Sequence, residues 1–259
     1  MKVTDQLNRT LLIPEFPKRI VSLVPSQTEL LIDLGLKDRL VGVTKFCIHP
    51  EGLKKEKTII GGTKNFNFEK IKALKPDLII GNKEENYKEG IEQLEKDFTV
   101  WMSDIFNVWD ALDMILSLGK ITNTEEKATL LWKEINNKRN ILLEQNRVKQ
   151  KAIYLIWKNP YMVAGSNNYI NEMLSLNGYE NLCNSAKYSR YPELTEAEIV
   201  ELNPDVILLS SEPFPFKEKH AKELQKLVPN AYIQLVDGEL YSWYGSRIIT
   251  ALDSFNTAK

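Results

Sequence analysis

The chain carries the same short pattern twice, once in each half. Residues 70–82 read KIKALKPDLIIGN and residues 198–210 read EIVELNPDVILLS, so the Pro-Asp pair at 76–77 aligns with the pair at 204–205. In each copy a short helical pattern ends before the proline, an aspartate follows in the turn, and a buried apolar strand comes next. The repetition predicts two similar lobes, each containing this helix, turn and strand.

Short apolar runs alternate with helical patterns in both halves of the chain. RIVSLVP, LVGVT, DLIIGN and FTVWM are strand patterns of the first half, and KAIYLIW, DVILLSS and AYIQLVD are those of the second. Ser26 with Glu29, and Ser166 or Asn167, are expected to cap the first helix of each half, with Gly35 and Gly178 as their stops. This alternation predicts an α/β fold with parallel sheets wrapped by helices.

A different pattern separates the two halves. Residues 122–150 contain neither Gly nor Pro, and Leu131, Ile135 and Leu142 fall on one helical face. If about 25 residues are helical, the helix is about 37 Å long, which is enough to link two small domains. An ordinary long core helix is the alternative. We predict an N-terminal lobe at 1–121, a linking helix at 122–150 and a C-terminal lobe at 151–259.

Composition excludes several classes of partner. The formal net charge is -1 and the basic residues are scattered, which argues against nucleic acid and anionic membranes as partners. No stretch reaches the roughly 18 to 20 apolar residues of a membrane span, and residues 1–25 show no export signal, so a cytoplasmic location is expected from the sequence as it stands. Cys47 and Cys183 form no disulfide framework and are expected to be buried thiols.

The candidate ligand-binding residues follow the predicted strands, because open parallel sheets hold ligands at the carboxyl ends of their strands. Two lobes would present these loops across a cleft, with aromatic side chains as apolar surface. The candidates are Ser26, Gln27, Phe46, Cys47, His49, Thr63, Lys64, Asn82, Glu84, Glu85, Asn86, Tyr191, Glu212, Phe214, Trp243, Tyr244 and Arg247. Trp243 and Tyr244 are expected to hold the ligand from the second lobe, and Phe216 is a further aromatic candidate of the same rim.

Metal binding and catalysis have weaker support in the sequence. Cys47, His49 and the Glu84–Glu85 pair, with Asp104 nearby, could form a zinc or iron site, but the chain has only two histidines and no paired ligand spacing. We therefore predict no protein-ligated metal. No GxSxG elbow, P-loop or GxGxxG is present, so no catalytic residue is predicted and the protein is not expected to be an enzyme. His220 is predicted to be a surface residue of a helix.

Several segments together resemble a known family. PKRIVSLVPSQTELLIDLGLKDRLVGVT, FEKIKALKPDLIIGN, the uninterrupted helix and GYENLCNSAKYSRYPELTEAEIVELNPDVILLS are similar to the class III substrate-binding proteins of ABC importers, the helical-backbone receptors for vitamin B12, ferric siderophores and haem. The resemblance covers nearly the whole chain. It implies two Rossmann-like lobes joined by one long rigid helix, with the ligand in a shallow cleft.

The vitamin B12-binding branch is the most similar, because NPYMVAGSNNYINEMLSLNGYENL follows its middle segment. Where that branch places tryptophans around the corrin, this chain has Thr63, Asn82 and Tyr191. The resemblance also implies one surface glutamate per lobe that docks onto the permease. Glu69 takes the first position, whereas the second falls on Ala197, with the carboxylates displaced to the neighbouring Glu196 and Glu198.

The sequence therefore predicts a non-enzymatic, monomeric binding protein that serves an ABC importer. The expected ligand is a small metal chelate, a corrinoid first and a ferric siderophore or haem second, with no covalently bound cofactor. A periplasmic or cell-surface location would follow if this is a mature or truncated form. The alternative is a cytoplasmic enzyme or chaperone for corrinoids or metals, which would use the Cys47, His49, Glu84 and Glu85 group.

Overall fold

A computed structural model describes residues 1–145 and 147–257. None of the helices in these two ranges is long and apolar enough to cross a membrane. The chain divides into two compact units. Unit 1 comprises Met1–Ile105, Trp109–Glu134 and Tyr244–Arg247, and unit 2 comprises Phe106–Val108, Ile135–Trp243 and the chain from Ile248 onwards.

Unit 1 is built on a parallel sheet of five strands. The strands of the whole unit are β1 (Lys2–Thr4), β2 (Thr10–Leu12), β3 (Ile20–Ser22), β4 (Leu40–Val43), β5 (Thr58–Ile59), β6 (Gly61–Gly62), β7 (Asn65–Phe66), β8 (Leu78–Asn82) and β9 (Val100–Ser103). The sheet order is β5-β4-β3-β8-β9 with all neighbours parallel, while β1-β2 and β6-β7 are separate antiparallel pairs. From β3 the chain adds β4 and β5 on one side, and it then crosses to the other side of β3 to add β8 and β9. The loops after β3 and β8 therefore lie at a topological switch point, where doubly wound sheets bind ligands.

Helices connect the strands of unit 1. They are α1 (Pro25–Asp33), α2 (Leu53–Glu56), α3 (Phe68–Leu74) and α4 (Lys88–Leu94), and a 3-10 turn spans Lys37–Arg39. After the last strand come α5 (Val108–Thr122) and α6 (Glu125–Glu144), and α6 passes from unit 1 into unit 2 after Glu134. The expected Ser26–Glu29 capping box at α1 is wrong, because Pro25 starts the helix and Val24 is its N-cap, which leaves Ser26 inside the first turn. Gly35 does end the helix, with a φ of 87° that favours glycine.

Unit 2 contains a sheet of six strands. They are β10 (Gln150–Trp157), β11 (Tyr161–Val163), β12 (Tyr179–Asn181), β13 (Glu193–Leu194), β14 (Val206–Ser210) and β15 (Tyr232–Val236). β10, β14 and β15 are parallel, as predicted, and β12, which was not predicted, pairs parallel with β10; β11 pairs antiparallel with β10 and β13 pairs antiparallel with β11. β10 is long enough to pair with β12 through its first residues and with β11 through its last, so this sheet is mixed.

The helices of unit 2 follow the same alternation. They are α7 (Tyr169–Leu176), α8 (Glu196–Leu202), α9 (Glu218–Leu227), α10 (Glu239–Ser242) and α11 (Arg247–Thr257). The cap of α7 is Asn168, whose side chain accepts a hydrogen bond from the Asn171 N–H, rather than the expected Ser166 or Asn167. Gly178, with a φ of 85°, follows the helix end as expected.

The helix expected between the lobes is α6, and it is shorter than predicted. It has 20 residues, which corresponds to about 30 Å at 1.5 Å per residue. Thr122 belongs to the preceding helix α5, and Thr124 accepts the first backbone bond of α6 from Ala128. The division of the chain at residues 121 and 150 stays a prediction.

The repeated Pro-Asp turn has the same structural role in both units. The residue before each proline, Lys75 or Asn203, ends its helix in the left-handed conformation with a φ of 45°. Asp77 then accepts hydrogen bonds from the backbone N–H groups of Lys18 at 2.7 Å and Arg19 at 2.9 Å, and Asp205 accepts one from Lys151 at 2.8 Å. The aspartate fixes its own strand beside the start of the central strand, β3 or β10, so the repeated motif stabilises the fold.

This difference in bonding leads to a prediction about stability. Asp77→Ala removes a carboxylate that accepts two backbone N–H bonds, and Asp205→Ala removes one that accepts a single bond. A buried hydrogen bond to a charged group contributes about 1.5 kcal/mol or more, and an exposed one contributes less. We therefore expect the free energy of unfolding to fall by about 2 kcal/mol in Asp77→Ala and by about 1 kcal/mol in Asp205→Ala. Urea unfolding of both variants measures this. Equal losses, or a larger loss at Asp205, would contradict the assigned role.

Candidate ligand-binding site

In unit 1 the polar residues at the switch point are bonded to one another. The Gln27 amide donates to Ser103 Oγ at 2.6 Å, and the Asn82 amide donates to the same oxygen at 2.9 Å. Ser103 in turn donates to the Gly81 carbonyl at 3.3 Å. Gln27 and Ser103 are fully buried and Asn82 almost so. These side chains hold the ends of β8 and β9 together with the start of α1, so they form the base of the candidate site.

The loop after β8 is fixed by two asparagines. Asn82 Oδ1 accepts from the backbone N–H groups of Glu84 at 2.8 Å and Glu85 at 3.1 Å, and Asn86 Oδ1 accepts from the Asn82 N–H at 2.9 Å. The Asn86 amide also donates to the Thr63 carbonyl at 3.1 Å. Glu84 and Glu85 thus lie in a turn that precedes α4, rather than at a helix N-terminus, and both side chains are partly exposed.

The loop after β4 presents the exposed apolar surface of this end of the sheet. Phe46 is 49% exposed and Ile48 is 45% exposed. The Phe46 ring lies beside Gly62 of the β6-β7 pair, and the Lys45 ammonium lies 5.0 Å from the ring centroid. Lys64, on the same β6-β7 turn, donates to the Glu84 carbonyl. Ile48 was missed in the sequence, although an apolar residue in a polar loop after a strand is a usable signal.

The possible metal group does not assemble in this structure. Cys47 is buried, and its thiol lies 3.1 Å from Thr28 Oγ1 and 3.3 Å from Thr44 Oγ1. Burial raises the pKa of the Cys47 thiol, which disfavours the thiolate that binds metals. Asp104 pairs with the Lys83 ammonium at 2.6 Å. Within residues 1–145 and 147–257, no three His, Cys, Asp or Glu side chains are placed to hold a metal ion.

Tyr244 and Arg247 belong to unit 1, although the sequence assigned them to the second lobe. Tyr244 is buried, with its hydroxyl close to Ser26 and Ser103, and burial raises the pKa of this phenol well above its usual value. Arg247 forms a two-point ion pair with Glu29 of α1, with distances of 2.8 and 2.5 Å. Both side chains therefore pack segment 244–247 against α1. The prediction that they contact a ligand is untested.

In unit 2, Glu212 is the polar centre of the loop after β14. Its Oε1 accepts from the Trp243 indole N–H at 2.8 Å and from the Ser242 hydroxyl at 2.9 Å. Trp243 is only 8% exposed, so most of the indole is buried. Ser210, at the end of β14, accepts from the Tyr154 hydroxyl at 3.1 Å. These bonds connect the carboxyl ends of β10 and β14 to the loop that follows β15.

Glu212 is expected to make the stability of the protein depend on pH. Burial raises the pKa of Glu212, the bonds from Ser242 and Trp243 oppose this rise, and Glu239 and Asp237 add to it. A raised folded pKa gives stability that is present below the unfolded value, about pH 4.3, and is lost as pH rises through the folded value. The unfolding free energy of the native protein should therefore fall relative to Glu212→Gln above about pH 4.3. Urea unfolding of both proteins at several pH values checks this, and a native protein that keeps or gains stability relative to Glu212→Gln as the pH rises would contradict it.

The remaining aromatic candidates of unit 2 pack against each other. Phe214 lies 5.6 Å from Trp157 and 4.7 Å from Phe216, measured between ring centroids. His220 contacts both phenylalanine rings, is buried, and accepts a hydrogen bond from the Lys217 N–H at its Nδ1. The expectation that His220 is a surface residue is therefore wrong. Phe216 is buried, whereas Phe214 keeps part of its ring exposed.

Tyr191 lies in the loop between β12 and β13, for which the sequence predicts no helix or strand. It is partly exposed and follows Arg190, whose guanidinium lies 4.3 Å from the centroid of the Phe106 ring. The Gly165 N–H donates to the Arg190 carbonyl at 3.0 Å, and the Asn168 amide donates to that carbonyl at 2.8 Å. The position of Tyr191 therefore depends on contacts that are distant in sequence.

The expected docking glutamates lie at the first turns of α3 and α8. Glu69 is exposed at the second position of α3, and Ala197 occupies the second position of α8. Glu196 is exposed beside it. Glu198 instead forms a capping box, accepting from the Thr195 N–H and hydroxyl at 2.8 Å each, and these bonds lower the pKa of Glu198. Of the two alternative carboxylates in this turn, Glu198 thus has a structural task.

Comparison with known proteins identifies the family. A family model described as periplasmic binding protein matches residues 20–234. The chain belongs to the periplasmic binding protein family. An uncharacterized ABC transporter substrate-binding lipoprotein of Bacillus subtilis is 30% identical over 216 residues, which cover 80% of this chain and 68% of that protein.

Two further proteins that are similar to this chain are named for their ligand, vitamin B12. A vitamin B12-binding protein of Vibrio vulnificus is 27% identical over 202 residues, covering 74% of this chain and 71% of that protein. The crystal structure of a periplasmic vitamin B12 binding protein of Vibrio cholerae is 23% identical, covers 94% of this chain and 97% of that chain, and has a TM-score of 0.79. The fold class predicted from the sequence is confirmed. The expected cytoplasmic location gains no support from relatives named as a lipoprotein and as periplasmic.

Proposed function

We propose that this protein is the substrate-binding protein of an ABC importer for a small metal chelate, a corrinoid first and a ferric siderophore or haem second. The observation that carries the proposal is the family match over residues 20–234. The vitamin B12-binding relative at 27% identity favours the corrinoid. The protein acts as a receptor rather than an enzyme, holds no covalently bound cofactor, works outside the cytoplasm as a monomer, and delivers its ligand to a membrane permease.

The chemistry of the loops suits a large ligand with apolar and polar faces. In unit 1, Phe46 and Ile48 offer exposed apolar surface beside the ammonium groups of Lys45 and Lys64, both exposed. Apolar surface with a few placed polar groups is the usual composition of a small-molecule site. A corrinoid has an apolar ring face, peripheral amides and, in cobalamin, a phosphate, so aromatic and lysine side chains complement it.

A thermal-shift screen tests the ligand class. Cyanocobalamin, dicyanocobinamide, haemin and ferric siderophores are compared, with metal-free siderophore and metal-free porphyrin as controls. Ligand at 100 times its dissociation constant should stabilise the folded protein by about 2.7 kcal/mol. We expect the corrinoids to raise the melting temperature most. If none of the chelates raises it, the proposed function is wrong.

Phe46 gives a variant for locating the ligand in unit 1. Phe46→Ala should weaken binding about fivefold to tenfold, because it removes an aromatic face that contacts the ligand. Phe16 is a matched control, since it is also 49% exposed but lies before β3 rather than after β4. Calorimetric titration of both variants with the ligand found in the screen measures the two affinities. Equal affinities for the two variants would show that the loop after β4 does not contact the ligand.

A further inference from the structure

A pocket of about 420 Å³ lies within unit 1, away from the loops described above. Its walls come from the β1-β2 pair, strand β9 and the second half of α5. The polar lining residues are Lys2, Thr4, Thr10, Trp101, Ser117 and Lys120, and two aliphatic side chains complete the lining. Its volume falls in the range of small-molecule sites, about 300 to 1,000 Å³.

Trp101, one of the residues that line this pocket, carries a buried donor that has no acceptor among the described residues. The side chain is 1% exposed, and its indole N–H finds no hydrogen-bond acceptor in the part of the chain that the structure describes. A buried donor without an acceptor costs about 1–3 kcal/mol, so such groups are rare unless something else supplies the acceptor. An acceptor that reaches this N–H from the pocket would remove the cost.

The other polar groups of the pocket are also donors. The ammonium groups of Lys2 and Lys120 can only donate, and the hydroxyls of Thr4, Thr10 and Ser117 can do so. Among the residues that the structure describes, neither lysine has an ion-pair partner. No Asp or Glu of these residues lines the pocket. Two cations and an indole N–H around one cavity complement a negatively charged acceptor.

We propose that this pocket binds a small oxyanion, either phosphate or the carboxylate of an organic acid. The anion's oxygens accept from the Trp101 indole N–H and from the ammonium groups of Lys2 and Lys120. The site is separate from that of the proposed transport function. α5 begins at Val108, soon after the carboxyl end of β9, and Lys120 is twelve residues further along the helix, about 18 Å away at 1.5 Å per residue.

Nitrogen-15 NMR of the indole groups tests this proposal. The chain has five tryptophans, and Trp101→Phe assigns the Trp101 signal. Native protein is titrated with inorganic phosphate and with sodium succinate, and with sodium chloride at equal ionic strength. We expect one of the oxyanions to shift the Trp101 signal in a saturable way. A response to phosphate alone identifies the inorganic anion as the ligand type, and a response to succinate identifies the organic acid.

Charge variants separate the site from general salt effects. The double variant Lys2→Gln, Lys120→Gln should weaken the titration at least fivefold. Lys133→Gln is the control, because Lys133 is an exposed lysine of α6 outside the pocket, and it should titrate like native protein. The proposal is overturned if neither oxyanion shifts the signal, if chloride shifts it equally, or if the double variant binds as native protein does. These surface variants should fold normally, so each outcome is interpretable.

Discussion

Trp243→Ala should lower the free energy of unfolding by about 3–5 kcal/mol, as is typical for removing a buried tryptophan. The indole is 8% exposed and donates to Glu212 at 2.8 Å. We also expect the affinity for the ligand to fall about thirtyfold, which corresponds to about 2 kcal/mol. We expect the loss of affinity because the bond from Trp243 to Glu212 holds the loop after β14 in position. Urea unfolding and calorimetric titration, done at a temperature where the variant is folded, measure the two effects.

Two further variants separate these effects. Trp243→Phe keeps an aromatic ring but removes the N–H donor to the Glu212 carboxylate, so it should cost only about 1–2 kcal/mol of stability. Glu69→Ala changes an exposed residue of α3 and should alter neither stability nor affinity. Weaker ligand binding by Glu69→Ala with native affinity in Trp243→Ala would show that the ligand has been assigned to the wrong surface.

Gly165→Ala should destabilise the protein by about 3 kcal/mol, because overpacking against fixed backbone cannot be relieved by a side-chain movement. A Cβ at this position would lie 2.1 Å from the Ser189 carbonyl oxygen. The Gly165 N–H also bonds to the Arg190 carbonyl. The substitution should therefore displace the loop that carries Tyr191 and weaken ligand binding as well. Chemical unfolding measures the first effect, and titration measures the second.

Gly52→Ala is the matched control for this prediction. Gly52 has a φ of 86°, but a Cβ there would meet no atom within 4 Å, so the cost should be limited to backbone strain of about 1 kcal/mol. It lies in unit 1 and should leave ligand binding unchanged. A loss at Gly165 no larger than the loss at Gly52 would show that the loop of Tyr191 adapts freely.

The fold could be predicted from the sequence because its signals are local and occur twice. The helix, Pro-Asp turn and buried strand at residues 70–82 and 198–210 are present as predicted, as α3 with β8 and α8 with β14. The antiparallel strands β11 and β13 were not predicted. They are two or three residues long, and their pairing with β10 depends on segments that are distant in sequence. Short runs of this kind carry no clear periodicity.

The site was predicted less well, because burial is decided by neighbours that the sequence does not reveal. Gln27, Asn82 and Asn86 are at the predicted end of the sheet, but the first two side chains bond to Ser103 and the third bonds to the backbone. Arg247 was expected near a ligand and pairs with Glu29, more than 200 residues earlier. Polar residues after strands thus indicated the carboxyl ends of the sheet strands, and only the structure separates supporting side chains from exposed ones.

Calorimetric titration of the purified protein with cyanocobalamin, and then with dicyanocobinamide, haemin and ferric siderophores, tests the proposed receptor function. We expect saturable binding of one metal chelate, a corrinoid first, at one molecule per chain, with a dissociation constant of about 1 μM or tighter, equivalent to at least about 8 kcal/mol. The metal-free forms should bind more weakly. If no chelate produces a binding isotherm, or if metal-free and metal-loaded forms bind equally, the assignment of this protein as a metal-chelate receptor is contradicted.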